Sequence, residues 1–312
     1  MAKKPTVTAK KQTDGTARPF TLAITTRALF DFSKEDLIFQ EKGEAAYRIH
    51  QRALVESPAE PGVAFHLARK ALALNDASPG STQVIMLSRN DALTAIRAIR
   101  SAKHHGLALD SGCFACGESP LDYLDLFQAD LFLSAEPGDV ALALAAGHPA
   151  GLVWPTPKGG EAHPDQIRVA FDADCVIFDS ASEDFFQSLG GGERALSAFH
   201  ERENTMVDQP MGDGPLKPFL MALNRLQSRF PGKVKTGVFT ARDVGALDRC
   251  LRTLHAWGVD VDAAFPLAGR RKADFLARWK PDLFFDDRAQ HCELAAPVVP
   301  TAQVPAAVVL EG

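Results

Sequence analysis

No apolar run in this 312-residue chain approaches the length needed to cross a bilayer, so a membrane-spanning role is not expected. Positive charge is not in excess either. A formal net charge of −5 argues against a nucleic-acid polymer as partner, and any phosphate chemistry must gather its cations locally. Cysteines are few and odd in number: Cys113, Cys116, Cys175, Cys250 and Cys292. No secretory signal is read at the start, so reduced thiols and a cytoplasmic setting are expected. Cys113 and Cys116 form a lone CxxC with no second pair or histidine at ligand spacing, which does not support a zinc site. The nine histidines form no HxxxH or HxH pair. Residues 1–19 are polar, with almost nothing to bury, and read as a disordered tail.

Hydrophobic content of 46% and charged content of 23% are those of a globular protein with ample core. The stretch that organises the rest is RVAFDADCVIFD, from Arg168 to Asp179. It reads as a buried strand delivering two carboxylates, Asp172 and Asp174, at its carboxyl end, where open α/β sheets place their ligands. Two acids so close on apolar flanks repel, and a hard divalent cation such as Mg²⁺ relieves that repulsion. Alone, the pair also reads as a strand ending in a solvated acidic turn.

Apolar segments alternate strand-like and helix-like along the chain. Strands are expected near Thr21, at Val84–Leu87, Leu131–Leu133 and Gly151–Trp154, with helices at Ser33–Leu54 and Val63–Leu74 and one ending near Lys103. Residues 155–164 read as a Pro/Gly-rich linker. A shift of 152 residues lays 62–135 on 214–287 without a gap and gives 15 identities in 74 positions. Gly62 meets Gly214, Gly106 meets Gly258, and Asp130-Leu131-Phe132 meets Asp282-Leu283-Phe284. Two tandem α/β units are the reading: 20–157 and 165–312, the second with a helical cap at about 180–214. The halves differ where it matters. Thr240 answers to Ser88, Lys272 to Pro120, and Asp286-Asp287 to Ser134-Ala135, while the region of Asp172 and Asp174 answers to Thr25–Arg27. The framework evidently stands without the charges.

If the strands are parallel, Asp172/Asp174, Thr240, Lys272 and Asp286/Asp287 converge on one crevice. Phosphate-ester hydrolysis asks for these groups. One carboxylate attacks phosphorus, and a second protonates the leaving oxygen and then activates water. A hydroxyl and an ammonium hold the phosphoryl oxygens, and a cation on the outer acids offsets the spreading charge. Each part has an ordinary reading too: Thr240 as a helix N-cap, Asp286-Asp287 as a strand-terminal turn. Phe185, Phe186 and Phe199 suit packing better than base stacking, and Lys217 suits a solvated surface unless it reaches substrate.

The order DxD, hydroxyl, lysine, acidic pair resembles the motifs of the haloacid dehalogenase superfamily. Beyond that, the chain resembles the cytosolic 5′-nucleotidase I family in both halves. The stretches that carry this are TTRALFDF, EKGEAAYR, GVAFHLARKALALN, MLSRND, GESPLDYL and ADLFLSAE, then VAFDADCVIF, GDGPLKPFL, FTARD, LAGRRKADFL and LFFDDRAQH. The resemblance implies a haloacid-dehalogenase-like α/β parallel sheet with a helical cap, preceded by a degenerate α/β half of similar layout. It implies Asp172 as nucleophile and metal ligand and Asp174 as general acid/base in the metal site. Thr240 and Lys272 would bind phosphate, with Asp286 and Asp287 completing the Mg²⁺ site. The implied activity is hydrolysis of nucleoside 5′-monophosphates in the cytoplasm by a homo-oligomer. A small phosphomonoester such as a sugar phosphate is the alternative substrate, and a nucleotide sensor without turnover the alternative role. Arg27, Ser88, Arg89 and Asn90 are expected to line the matching crevice of the first half, where the readings are that they tie strand ends, bind a nucleotide activator, or help form the base pocket if the halves face each other. Two departures from the family pattern are Ala173, where glycine is expected, and the glycine run at 190–192.

Overall fold

The computed structural model describes residues 18–90, 95–156, 161–190 and 192–306. Most of the expected tail, residues 1–17, and part of the expected linker, residues 157–160, lie outside the described residues.

The first half runs β1 (Phe20–Thr25), α1 (Thr26–Leu29), β2 (Phe30–Asp31), α2 (Ser33–Ala53), β3 (Glu60–Pro61), α3 (Phe65–Ala73), β4 (Thr82–Ser88), α4 (Ala95–His104), β5 (Ser111–Phe114), α5 (Leu124–Phe127), β6 (Leu131–Ser134), α6 (Pro137–Ala145) and β7 (Ala150–Val153). The second runs β8 (Ile167–Phe171), a wide turn over Ala173–Ile177, α7 (Ala181–Ser188), α8 (Gly192–Thr205), α9 (Lys217–Arg229), β9 (Val234–Thr240), α10 (Val244–Ala256), β10 (Ala263–Pro266), α11 (Lys272–Trp279), β11 (Leu283–Asp286), α12 (Ala289–Ala295) and β12 (Thr301–Gln303). The central strands are largely apolar, as strands covered on both faces require: β1 and β6 are buried throughout.

All the long strands join one ten-stranded sheet in the order β10-β9-β8-β11-β12-β7-β6-β1-β4-β5. Each half contributes five strands in the same spatial order, and neighbours within a half are parallel. The halves meet edge to edge through β7 and β12, the one antiparallel junction in the sheet. The two halves fuse into a single sheet, a junction the sequence does not announce.

The internal repeat extends to register and backbone. Ile85 pairs with Ser111 in the first half and Gly237 with Ala263 in the second. Gly106 and Gly258 both adopt φ of 69°, and the non-glycine pair Gln128 and Lys280 share the left-handed region at 51° and 53°. A four-residue turn after β1 and the Ala173–Ile177 turn after β8 are closed alike. Gly62 N donates to Leu29 O and Ala64 N to Ala28 O, while Gly214 N donates to Ile177 O and Leu216 N to Val176 O. A Cβ on Gly62 would meet Phe30 N at 2.8 Å, and one on Gly214 would collide with Phe178 O, so both glycines are needed for close backbone approach.

Helices cross between the halves. Phe219 of α9 packs on Phe20 of β1 as well as on Phe171 of β8 and Phe285 of β11, with centroid separations of 6.1, 5.9 and 5.8 Å. In return, Lys70 of α3 reaches Asp282 at the start of β11 at 2.6 Å. One apolar core therefore runs through both halves. Among the described residues, no helix is long and apolar enough to cross a membrane.

Candidate active site

Strands β9, β8 and β11 lie side by side and parallel, so Thr240, Asp172 and Asp286 open on the same edge of the sheet. Asp172 follows β8 directly. Its backbone N–H donates to Phe285 O at 2.8 Å, and its Oδ1 accepts from Ala173 N at 2.7 Å. Lys272, the first residue of α11, reaches in from the side, and its Nζ lies 2.7 Å from Asp172 Oδ2 and 2.7 Å from Asp286 Oδ2. Asp286 is wholly buried and accepts from Arg288 N at 3.0 Å. The Thr240 hydroxyl accepts from Arg242 N at 3.2 Å. The N-cap of α10 is Asp243, which accepts from Ala246 N at 2.9 Å, so Thr240 is not the cap of that helix.

Two further residues join this group with no role foreseen from the sequence. His291 on α12 places Nδ1 3.0 and 3.1 Å from the two oxygens of Asp286. Arg242 grips Asp174 at two points, Nε to Oδ2 at 2.9 Å and Nη2 to Oδ1 at 2.6 Å. Both lie inside motif stretches, FTARD and LFFDDRAQH. The signal that could have marked them is position: Arg242 stands two residues past a strand-end hydroxyl, and His291 lies in the first turn of α12, five residues after a strand-end acid. Asp287 is partly buried beside Asp286, and its backbone carbonyl accepts from Gln303.

The charges explain the electrostatics. Burial pushes Asp172 up to about 7, with neighbouring Asp286 adding to the shift against the pull of Lys272. Asp287 is raised to about 6 by burial and then by Asp286. Asp286 is also buried, but Lys272 and His291 outweigh that and hold its carboxyl below the usual range. Burial disfavours the Lys272 ammonium, yet Asp172 and Asp286 more than restore it. Three carboxylates, Asp172, Asp286 and Asp287, thus face one lysine, while Arg242 is committed to Asp174 and Glu203. This excess of buried negative charge, with ligand atoms of Asp172, Asp286 and His291 all within 4.8 Å of one another, fits a divalent cation. Asp172 and Asp286 supply the hard oxygens such a cation prefers.

The insertion after β8 folds over this edge. Glu183 of α7 pairs with Arg288, beside Asp286. Phe186 and Phe199 meet edge to face at 5.9 Å, Phe199 lies under the Arg242 guanidinium, and Phe185 under that of Arg202. All three phenylalanines therefore have packing partners. Lys217 donates to Asp213 at 2.6 Å and sits 4.1 Å over the Trp257 ring, contacts that do not link it to the Asp172 group.

In the first half the same crevice holds hydroxyls where the second holds acids. Thr25 ends β1, Ser134 accepts from Glu136 N at 3.0 Å as Asp286 does from Arg288 N, and Ser88 accepts from Asn90 N at 3.1 Å as Thr240 does from Arg242 N. Arg27 donates to Asp36 at 2.8 Å, Arg89 pairs with Asp139, and Asn90 accepts from Tyr47.

A family model described as 5′-nucleotidase matches residues 12–311. Human cytosolic 5′-nucleotidase 1B is 31% identical over 288 residues, an overlap covering 88% of this chain and 46% of that protein. The chain therefore spans about half the length of that relative. Among solved structures, a chain of the Pnkp1/Rnl/Hen1 RNA repair complex aligns over 94% of this chain and 98% of its own, at 12% identity and a TM-score of 0.31, too weak a likeness to carry any inference.

Proposed function

The chain belongs to the cytosolic 5′-nucleotidase I family, and from that premise we propose that it is a phosphoric monoester hydrolase acting on nucleoside 5′-monophosphates in the cytoplasm through a phospho-aspartate. The observation that carries this is Lys272 Nζ at 2.7 Å from both Asp172 and Asp286, with the Thr240 hydroxyl on the adjoining strand. These are the charges and donors that a transferring phosphoryl group needs, brought together from stretches up to 114 residues apart.

In the first step a carboxylate oxygen of Asp172 forms a bond to phosphorus as the ester P–O bond breaks. The electron pair stays on the nucleoside 5′-oxygen, which takes the proton of the Asp174 carboxyl group. In the second step Asp174 removes a proton from water as the water oxygen bonds to phosphorus. Phosphate leaves, and the Asp172 carboxylate is restored. Thr240 and Lys272 orient the phosphoryl oxygens throughout and place phosphorus in line with Asp172. A bound cation, Mg²⁺ in this proposal, would be held by Asp172 and Asp286 with Asp174 and Asp287 close by, and it would neutralise charge on the phosphoryl oxygens. The insertion at about 180–214 acts as a cap that keeps bulk water from phosphorus until attack is complete.

A phosphate-release panel tests the reading. AMP and other nucleoside monophosphates are compared with sugar phosphates in the presence of Mg²⁺, with Asp172→Asn as control. Turnover of nucleotides well above sugar phosphates, lost in Asp172→Asn, is expected. Preference for sugar phosphates would move the substrate class, and activity retained by Asp172→Asn would remove the mechanism. The nucleotide-activator reading of the first-half crevice has less behind it, because Arg27 and Arg89 already pair with Asp36 and Asp139. Unchanged substrate saturation and unchanged response to added nucleotides in Arg89→Ala would end it.

A further inference from the structure

Arg242 is buried to 3% side-chain exposure between two carboxylates, and each binds a different part of its guanidinium. Nε and Nη2 hold Asp174, while Nη1 donates to Glu203 Oε2 at 2.6 Å. Glu203, on α8 of the insertion, also accepts from Ser182 of α7 at 3.0 Å and from Arg249 of α10 at 3.1 Å. One connected chain of hydrogen bonds thus runs from the insertion to the acid next to the reaction centre.

The first half supplies an internal control. There Arg97 occupies the place of Arg249 and repeats its anchoring contacts. Arg97 Nη1 donates to Glu35 at 2.5 Å and Nε to Ser57 O at 2.9 Å, where Arg249 donates to Glu203 and, through Nε, to Gln209 O at 2.9 Å. Anchoring a helical insertion therefore takes one buried arginine–glutamate pair. The place of Arg242 is taken by Asn90, and Arg27, in the place of Asp174, turns to Asp36. The framework keeps the anchor and drops the Arg242 arm in the half that has no catalytic carboxylates. Burying a further arginine is costly and is poor evidence for a purely stabilising role. A guanidinium fork that meets both carboxylate oxygens does fix the plane of the carboxylate, which a lysine point charge does not.

We propose that Arg242 is a positioning residue that fixes the orientation of the Asp174 carboxylate toward the leaving oxygen and, through Glu203, ties that orientation to the seating of the cap. The proposal rests on the phosphatase reading above. It concerns departure of the leaving group, so it makes a claim about substrates that differ only in that group. A nucleoside 5′-oxygen needs a proton as its bond to phosphorus breaks, whereas the nitrophenolate of p-nitrophenyl phosphate does not. kcat/KM reports the steps up to that departure.

The test measures kcat/KM for AMP and for p-nitrophenyl phosphate in wild type, Arg242→Lys and Arg249→Lys. Arg242→Lys is expected to lose more than about tenfold on AMP and less than about threefold on the aryl ester, in keeping with the usual size of general-acid effects. Arg249→Lys, which alters the anchor and not the Asp174 contact, is expected to lower both substrates alike. If Arg242→Lys does not fold, Arg242→Gln, which removes the fork on Asp174 and leaves the Glu203–Arg249 anchor in place, gives the same readout. Equal losses on both substrates, or an AMP rate that stays at wild-type level, overturn the role of Arg242. Wild-type protein that releases phosphate from no nucleotide overturns the phosphatase reading instead, so the two failures are distinguishable.

Discussion

Replacing Lys70 by alanine removes a buried ion pair between the first half and the second. The Lys70 ammonium is almost fully buried and donates to Ala162 O at 2.9 Å, Gln166 O at 3.0 Å and Asp282 Oδ1 at 2.6 Å. After the substitution, Asp282 keeps the Arg168 backbone N–H at 2.8 Å and loses its cation. Removing one partner of a buried pair leaves an uncompensated charge, and a loss of about 3–5 kcal/mol is expected at neutral pH. For a chain of 312 residues that corresponds to roughly 5–8 °C in Tm. The pH dependence has a definite sign. Burial already raises the Asp282 carboxyl above its ordinary value, and losing Lys70 raises it further. The folded variant then binds a proton that the unfolded chain releases, so its stability falls as pH rises through the range between the two values. The cost is therefore greatest at neutral pH and shrinks on acidification. Urea denaturation followed by circular dichroism at pH 7.5 and at pH 5.5 measures both quantities. A loss below about 1 kcal/mol, or one that grows as pH falls, would refute the reasoning.

Other outcomes follow from single features. Gly214→Ala, whose Cβ would collide with the Phe178 and Ile177 backbone, is expected to lower Tm sharply, while Gly138→Ala in open space on α6 leaves Tm unchanged or slightly higher; equal effects would contradict the close-approach account. Exposed Cys116 should react first with a thiol reagent at pH 8, and buried Cys250, whose thiol is pushed up to about 12 by burial, only on unfolding. Labelling of native protein at Cys250 would show that α10 does not pack as described. Adding millimolar Mg²⁺ to chelator-treated protein should raise Tm by relieving repulsion among Asp172, Asp286 and Asp287, and should do so much less in Asp286→Asn. An identical rise in both proteins would place the cation elsewhere.

Much of the fold was open to reading because strand and turn patterns are local. Buried strands such as Val84–Leu87 and Leu131–Leu133 declare themselves by composition, and the 152-residue repeat follows from residues that turns require, among them Gly62/Gly214 and Gly106/Gly258. The antiparallel seam between β7 and β12 was not readable, since pairing of two distant strand edges leaves no mark in either segment. Short β5, polar and half-exposed as SGCF, carries no strand signature and is held by its register with β4. At the site, the acids stood out because strand-end charges on apolar flanks are unusual, and Lys272 because an ammonium opening a helix runs against the helix dipole. Arg242 and His291 did not, because a buried arginine looks like a surface one until its partners are known. Thr240 shows the opposite case: a helix start after a strand-end hydroxyl suggested a cap, but Asp243 three residues on does the capping and leaves the hydroxyl beside the Asp172 crevice.

The central claim is that Asp172 takes the phosphoryl group. Rapid acid quench during turnover of a nucleoside monophosphate, followed by mass spectrometry of the peptide spanning residues 168–179, measures it directly. The expected result is a peptide heavier by one phosphoryl group, with the addition on residue 172 and absent from Asp172→Asn. Phosphate release that proceeds with the group on another residue would contradict it.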